Sequence, residues 1–81
     1  MLNFIRTIGS KIGPMIQVTV NGEARAFEAP LDVSTLLARL QMAGKKLAVE
    51  RNGEIVPKGL HPDTVLQDGD RLEIVVAVGG G

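Results

Sequence analysis

Cysteine is absent from the 81 residues of this sequence. Its absence excludes a disulfide framework, a thiolate zinc site and a nucleophilic thiol belonging to the chain itself. Histidine occurs once, as His61 beside Pro62, and one imidazole alone is poor material for a metal site. We interpret His61 as a solvated loop residue, and we expect no metal and no cofactor bound by this chain.

Aromatic residues and net charge are also scarce. Phe4 and Phe27 are the only aromatic residues, and nine basic residues balance nine acidic ones. Nucleic-acid binding relies on a concentrated positive field and on aromatic stacking platforms, so we expect no nucleic-acid partner. No apolar run approaches the roughly 18 residues that cross a bilayer, which predicts a soluble, cytoplasmic protein without a membrane partner.

No group of residues has the spacing of a catalytic site. Serine, histidine and acidic residues form no set with the spacing of a nucleophilic or acid-base site. The glycine turns at Asn21-Gly22, Asn52-Gly53 and Asp68-Gly69 lack the spacing and lysine of a phosphate-binding loop. With 44% hydrophobic and 22% charged residues, the chain has the composition of one small globular domain. We therefore predict a folded protein that is not an enzyme.

The first fourteen residues differ from the rest of the chain. Met15 comes after Gly13-Pro14 and directly before the first predicted strand, so we place the start of the domain there. The leader, 1–14, lacks the long apolar core and cleavage site of a signal peptide. It is either disordered or a short helix, which would be marginal alone in water. The leader could come from an upstream start, be an expression remnant or be a short partner-binding helix. We favour a segment without a function.

A hairpin is predicted at the start of the domain. Residues 16–20 alternate apolar and polar side chains, the period of a half-buried strand. Asn21-Gly22 comes next, and both residues tolerate the positive φ that a type I′ turn requires. Residues 23–28 then return as the second strand.

One helix is predicted after the hairpin. Pro30 and Asp32 mark its start, because an aspartate oxygen can accept from the free amides of the first turn. Gly44 is predicted to cap its C-terminus, with Lys45 and Lys46 complementing the negative end of the helix dipole. Four apolar residues recur at helical spacing and form the predicted sheet-facing stripe: Val33, Leu36, Leu37 and Leu40.

The second half of the domain reads as three strands. Residues 47–51 and 54–56 flank the Asn52-Gly53 turn, Pro57 suits an edge, and residues 71–78 form a strongly apolar last strand. A single amphipathic helix in this order must lie across one sheet. We predict an α+β, ubiquitin-like β-grasp domain over residues 15–78: a mixed sheet of about five strands on one main helix, with the last strand central.

The sheet face away from the helix is free to dock partners. Apolar candidates for that face are Leu47, Val49 and Val75. Strand register decides among them, because a one-residue slip moves every side chain to the other face.

Three glycines, 79–81, come after the last predicted strand without a turn and form a flexible tail. A glycine run at a chain end is often only a frayed terminus or a cloning linker. Glycine lacks a Cβ, however, so such a tail can pass through a narrow channel in a partner. Five extended residues reach roughly 17 Å at about 3.3 Å each, enough to bring the carboxylate of Gly81 into another protein's active site.

The sequence resembles the sulfur carrier proteins of thiamine biosynthesis, the ThiS family, from Met15 to Gly81. The Asn-Gly-Glu-Ile-Val-Pro run and the Ala-Val-Gly-Gly-Gly end are the most diagnostic parts, while the hairpin and helix would fit any β-grasp protein. The leader is a departure that the family does not need. The matching segments are Val20-Asn-Gly-Glu23, Asp32-Val-Ser-Thr-Leu-Leu37, Ala48-Val-Glu-Arg-Asn-Gly-Glu-Ile-Val-Pro57, Gln67-Asp-Gly-Asp-Arg-Leu-Glu-Ile-Val75 and Ala77-Val-Gly-Gly-Gly81.

The resemblance implies a cycle that partner enzymes run on Gly81. An adenylyltransferase of the ubiquitin-activating type would adenylate the Gly81 carboxylate with Mg-ATP. A cysteine desulfurase or another persulfide donor would supply sulfur, giving a thiocarboxylate that thiazole synthase consumes. Gly79 and Gly80 would give passage into partner active sites, and Ala77 and Val78 would anchor the tail to the sheet.

Three other functions are compatible with the same pattern. The small subunit of molybdopterin synthase resembles this fold and tail and uses the same thiocarboxylate. A ubiquitin-like modifier would be conjugated to target proteins through Gly81. A pure interaction domain with an inert tail is the third, and it predicts that deleting the glycines has no effect.

Overall fold

The predicted hairpin is present in the computed structural model, which describes residues 14–77. Strand β1 (Met15–Val20) pairs antiparallel with β2 (Glu23–Glu28), in a register that runs from Val20 opposite Glu23 to Met15 opposite Glu28. Asn21 and Gly22 have φ of 49° and 85°, the positive values that a tight type I′ turn needs. The Asn-Gly prediction is confirmed.

Helix α1 (Val33–Arg39) is shorter than its apolar stripe suggested. Its start is as predicted, since the Asp32 carboxylate accepts from the Thr35 amide at 2.7 Å. Its end is not. Gln41, at φ 61°, takes the left-handed position, and the Met42 amide donates to the Leu37 carbonyl at 2.8 Å, as in a Schellman motif.

The prediction that Gly44 caps the helix was therefore wrong. Gly44 also has positive φ, 85°, but it lies in the turn after the cap. Lys45 closes that turn, since its amide donates to the Met42 carbonyl at 3.3 Å, and Lys46 follows it. Both lysines are exposed, and the basic residue of the last helical turn is Arg39. The Schellman bonds satisfy the last carbonyls before the chain reaches either lysine.

The sheet places the last strand in its centre. Its order is β2-β1-β5-β3-β4, with β3 (Leu47–Arg51), β4 (Glu54–Ile55) and β5 (Arg71–Val76). Strand β5 runs parallel to β1 and antiparallel to β3, while β4 pairs antiparallel with β3 at the edge. The mixed five-stranded sheet confirms the predicted fold class. Within β5, Leu72 and Ile74 are buried, whereas Val75 is exposed.

The core lies between one sheet face and α1. Val18, Leu36 and Leu72 are among the side chains with at most 1% exposure, and they come from β1, α1 and β5. The Asp32 to Val65 bridge and the Leu66 amide, which donates to the Leu31 carbonyl at 2.7 Å, join the helix start to the segment before β5. Among residues 14–77, no helix is long and apolar enough to cross a membrane.

The histidine interpretation was wrong. A 3₁₀ helix spans Lys58–Asp63, and it buries His61 to 8% exposure. The His61 Nε2 lies 3.1 Å from the Val56 carbonyl oxygen. A buried imidazole needs such a partner because an unsatisfied polar group in the core is costly. His61 is therefore a structural core residue.

Candidate functional site: the root of the C-terminal tail

Strand β5 carries the chain from the middle of the sheet to Ala77, the last described residue. The Ala77 amide donates to the Lys46 carbonyl at 2.9 Å, one step beyond the pairing of Val76 with Leu47. We call this end of the sheet, Val75 to Ala77 with Lys46 to Ala48, the tail root. Of the predicted site residues, Ala77 lies at the tail root, whereas Val78, Gly79, Gly80 and Gly81 lie outside the described residues.

An asparagine side chain supports β5 just before the tail root. The Asn21 Oδ1 accepts from the Ile74 amide at 2.7 Å, and the Asn21 Nδ2 donates to the Ile74 carbonyl at 3.1 Å. The Asn21 backbone amide also donates to the Leu72 carbonyl at 2.9 Å. The turn side chain thus continues the pairing of β1 with β5 by one residue after β1 itself has ended.

The sequence pattern predicted Asn21 only as a turn residue. Its second role depends on a parallel neighbour that is 53 positions away along the chain, so no local signal reveals it. A carboxamide suits the position because it offers one donor and one acceptor to the same peptide unit. Backbone groups along a strand alternate in direction, so those of Val76 also point toward the β1 side, past the end of that strand.

A second cluster fastens the start of β5. Asp70 is 7% exposed and accepts from Arg51 Nε at 2.8 Å, Asn52 Nδ2 at 3.0 Å and the Gln67 amide at 2.8 Å. Asn52 Oδ1 accepts from the Arg71 amide at 2.9 Å. Burial raises the pKa of the Asp70 carboxyl, but these donors outweigh burial and hold that pKa below its ordinary value of 3.8.

Strand register settles the candidates for the free sheet face. Val49 pairs with Ile74 and is fully buried under the helix, and Leu47 is half-buried on the same face. Val75 pairs with Ala48 on the opposite face and is 64% exposed. Of the three predicted docking residues, Val75 alone lies on the face away from α1, and it lies at the tail root.

Within residues 14–77, the buried polar or charged side chains are His61 and Asp70, and each is engaged in hydrogen bonds inside the fold. No group of three or more His, Cys, Asp or Glu side chains in this part of the chain is placed to hold a metal ion. What the arrangement can do chemically is hold Ala77 firmly at the edge of the domain.

Comparisons with known proteins agree with this geometry. A model of the ThiS family matches residues 18–81. A crystal structure of a thiamine biosynthesis protein (ThiS) from Geobacter metallireducens superposes with a TM-score of 0.70 at 33% identity, covering 82% of this chain and 100% of that one. A sulfur carrier protein ThiS from Bacillus subtilis is 45% identical over 49 residues, covering 60% of this chain and 74% of that protein.

A longer relative also matches. The chain is 47% identical over 66 residues to a thiazole synthase from Paramagnetospirillum magneticum, a match that covers 82% of this chain and 20% of that protein. The chain thus spans about a fifth of the length of the curated thiazole synthases it matches.

Proposed function

The chain belongs to the ThiS family of ubiquitin-like sulfur carriers, and we propose that it carries sulfur for thiazole formation on the carboxylate of Gly81. The observation that carries this proposal is the position of β5, a central strand that runs without a turn to Ala77. A central strand is held by neighbours on both sides, so the domain stays folded while a partner takes hold of the residues after Ala77.

The chemistry begins with activation of the Gly81 carboxylate, which is a poor electrophile. A partner adenylyltransferase of the ubiquitin-activating type joins it to AMP and releases pyrophosphate from Mg-ATP. A persulfide sulfur from a cysteine desulfurase or another donor attacks the acyl carbon, so that the C–S bond forms and the bond to AMP breaks. A thiol then cleaves the S–S bond, forms a disulfide with the donor cysteine and leaves the terminal thiocarboxylate.

In that cycle, this chain presents its C-terminal residues to the partner enzymes. Ala77 is held by the Lys46 carbonyl, so the residues after it start from a fixed point. Gly79 and Gly80 give the backbone a narrow cross-section because they have no Cβ. Val75, exposed beside Ala48 on the free sheet face, offers a small apolar contact to an enzyme that surrounds the tail.

Thiazole synthase is the proposed sulfur acceptor. Two thiazole synthases contain a segment similar to this chain, at 47% and 39% identity. This likeness favours thiazole as the destination of the sulfur, and none of the similarities described above favours molybdopterin. In the proposed reaction, the thiocarboxylate sulfur passes to a substrate bound by thiazole synthase. The acyl C–S bond breaks, and an oxygen from that substrate or from water restores the Gly81 carboxylate.

Intact-mass measurement tests the proposal. The protein is incubated with ATP, the adenylyltransferase and a persulfide donor, and we expect its mass to rise by the replacement of one oxygen by sulfur. A chain that lacks Gly81 is the matched control, and we expect it to stay folded and unloaded. An unchanged mass for the full chain would contradict the proposal, and heavier protein adducts would indicate a modifier instead.

A further inference from the structure

An open groove of about 530 Å³ lies beside the tail root. It runs between the end of α1, the start of β3 and the 3₁₀ helix. Apolar side chains at different depths line it. Leu37 is buried, Met42 and Leu47 are half-buried, and Val75 is exposed where the groove meets the tail root. Its volume is in the range of sites that take a few side chains of a ligand.

The charged residues that line this groove are all lysines. Lys45, Lys46 and Lys58 line it and are exposed, and no acidic residue is among its lining residues. The whole chain carries nine basic and nine acidic residues, so the groove concentrates positive charge on a neutral protein. Like charges near one another cost free energy unless an anion neutralises them.

We propose that this groove docks an acidic segment of a partner protein that inserts an apolar side chain. The apolar anchor would cover Met42 and Leu47, while flanking carboxylates would pair with Lys46 and Lys58. Charge complementarity selects the segment and speeds its encounter, and the buried anchor supplies affinity. The proposal rests on the proposed function in one respect, that the partner is the protein that receives the tail.

The groove adjoins the root of the tail, which supports a partner protein as its occupant. Ala77 and Val75 line the same groove, so a protein that takes hold of the tail after Ala77 is already beside Lys46. A nucleic acid fits less well, because phosphates would leave the apolar floor uncovered. The lining residues include no Phe, Tyr, Trp or Arg to stack on bases, and the one imidazole among them, His61, is buried. An acidic peptide with an apolar centre would neutralise the lysines and also cover the apolar residues of the groove.

A peptide titration followed by amide NMR tests the docking surface without any enzyme. The probe is acetyl-Asp-Glu-Leu-Phe-Glu-Asp-amide, added to the full chain at low salt. We expect shifts at the amides of Met42 to Ala48, at Lys58 and at Val75. A peptide with alanine in place of Leu-Phe tests the anchor, and one with lysine in place of the acids tests the charge. Both should bind more weakly.

Matched variants separate the groove from general charge. Reversing two exposed lysines, in the double variant K46E/K58E, should weaken binding of the acidic peptide roughly tenfold, since each exposed pair contributes a few tenths to about 1 kcal/mol. R39E reverses an exposed charge at the end of α1 that does not line the groove, and it should bind like the parent chain. Amide spectra of the variants check that each remains folded.

The outcomes distinguish this inference from the proposed function. If the tail gains sulfur but the peptide does not shift the groove amides, the docking proposal is overturned and the sulfur-carrier proposal stands. If the peptide binds at the groove but the tail gains no sulfur, the docking proposal stands and the sulfur-carrier proposal is overturned. Equal binding of heparin and of the alanine peptide would show a general polyanion surface, which overturns the proposal of an apolar anchor.

Discussion

Asn21 holds Ile74 by both of its backbone polar groups, with 2.7 Å from the Ile74 amide to Oδ1 and 3.1 Å from Nδ2 to the Ile74 carbonyl oxygen. The turn of the first hairpin therefore supports the strand that leads to the tail. A side chain does here what another residue of β1 would do in a longer strand. It ends the β1 to β5 pairing at Ile74 and leaves the backbone of Val76 directed past it.

Replacing Asn21 by glycine tests this support. Asn21→Gly keeps the positive φ of the turn but removes both hydrogen bonds, so we expect a loss of about 1–3 kcal/mol in the free energy of unfolding. Urea denaturation measures that loss, and hydrogen exchange at Ile74 should become faster. Asn52→Gly, in the second turn, is the control. It should lower stability, because Asn52 bonds to Asp70 and to the Arg71 amide. Hydrogen exchange at Ile74 should not accelerate more than at the other β5 amides. Equal acceleration at Ile74 in both variants would contradict the role of Asn21 in supporting Ile74.

Asp70 predicts a pH dependence of stability. Because the pKa of Asp70 is lowered on folding, its ionised form stabilises the fold fully above the ordinary value of 3.8, and this stabilisation is lost as the pH falls through the lowered folded value. Asp70→Asn should cost roughly 1–3 kcal/mol at neutral pH, since the Arg51 guanidinium and the Gln67 amide lose a charged acceptor.

Unfolding free energies from pH 7 down into the acid range measure the effect. The difference between the parent chain and Asp70→Asn should shrink below pH 3.8. Asp63→Asn, at an exposed acid, is the control and should change stability little. A difference between parent and Asp70→Asn that is independent of pH would mean that the Asp70 contacts stabilise the fold without a pKa change.

Gln41 predicts a stabilising substitution. A residue with a Cβ at φ 61° is strained, whereas glycine adopts this conformation freely. The left-handed conformation costs roughly 1–2 kcal/mol for a residue with a Cβ, and the freedom of glycine in the unfolded chain offsets about 0.5–1 kcal/mol of that. Gln41→Gly should therefore raise the unfolding free energy by about 0.5–1 kcal/mol. Ala38→Gly, at an exposed position inside α1, is the contrasting control and should lower it by about 1 kcal/mol. Thermal unfolding of both variants gives the comparison, and a loss of stability in Gln41→Gly would show that its side chain makes a contribution larger than the strain.

Val75 predicts a separation of function from stability. Because Val75 is 64% exposed on the free sheet face, Val75→Glu should change the unfolding free energy by no more than about 0.5 kcal/mol. A charge beside the tail root should nonetheless slow the sulfur loading that we propose, which a partner adenylyltransferase begins. Ala26→Glu places the same charge on β2, at the far edge of the same face, and should load normally. Equal loading rates for the two variants would remove Val75 from the docking surface.

Local patterns were sufficient for the strands and turns. Asn21-Gly22 and Asn52-Gly53 form tight turns because asparagine and glycine tolerate positive φ, and Asp32 caps α1 because its oxygen reaches a free amide three residues on. The helix end was misplaced because two residues, Gln41 and Gly44, both adopt positive φ and the sequence favours glycine for the cap. Composition gave no warning that His61 is buried, since a 3₁₀ helix turns it inward.

The sequence by itself determined the element order, the apolar stripe of the helix and the glycine end, because each depends on residues that are neighbours along the chain. Only the tertiary structure decided which of Leu47, Val49 and Val75 is free, since that depends on the register between β3 and β5. It alone brought Asn21 to Ile74 and collected Lys46 and Lys58 around one groove. These residues are apart along the chain. Parallel pairing of β1 with β5 brings Asn21 to Ile74, and the packing of α1 and the 3₁₀ helix on one sheet face places the two lysines at one groove.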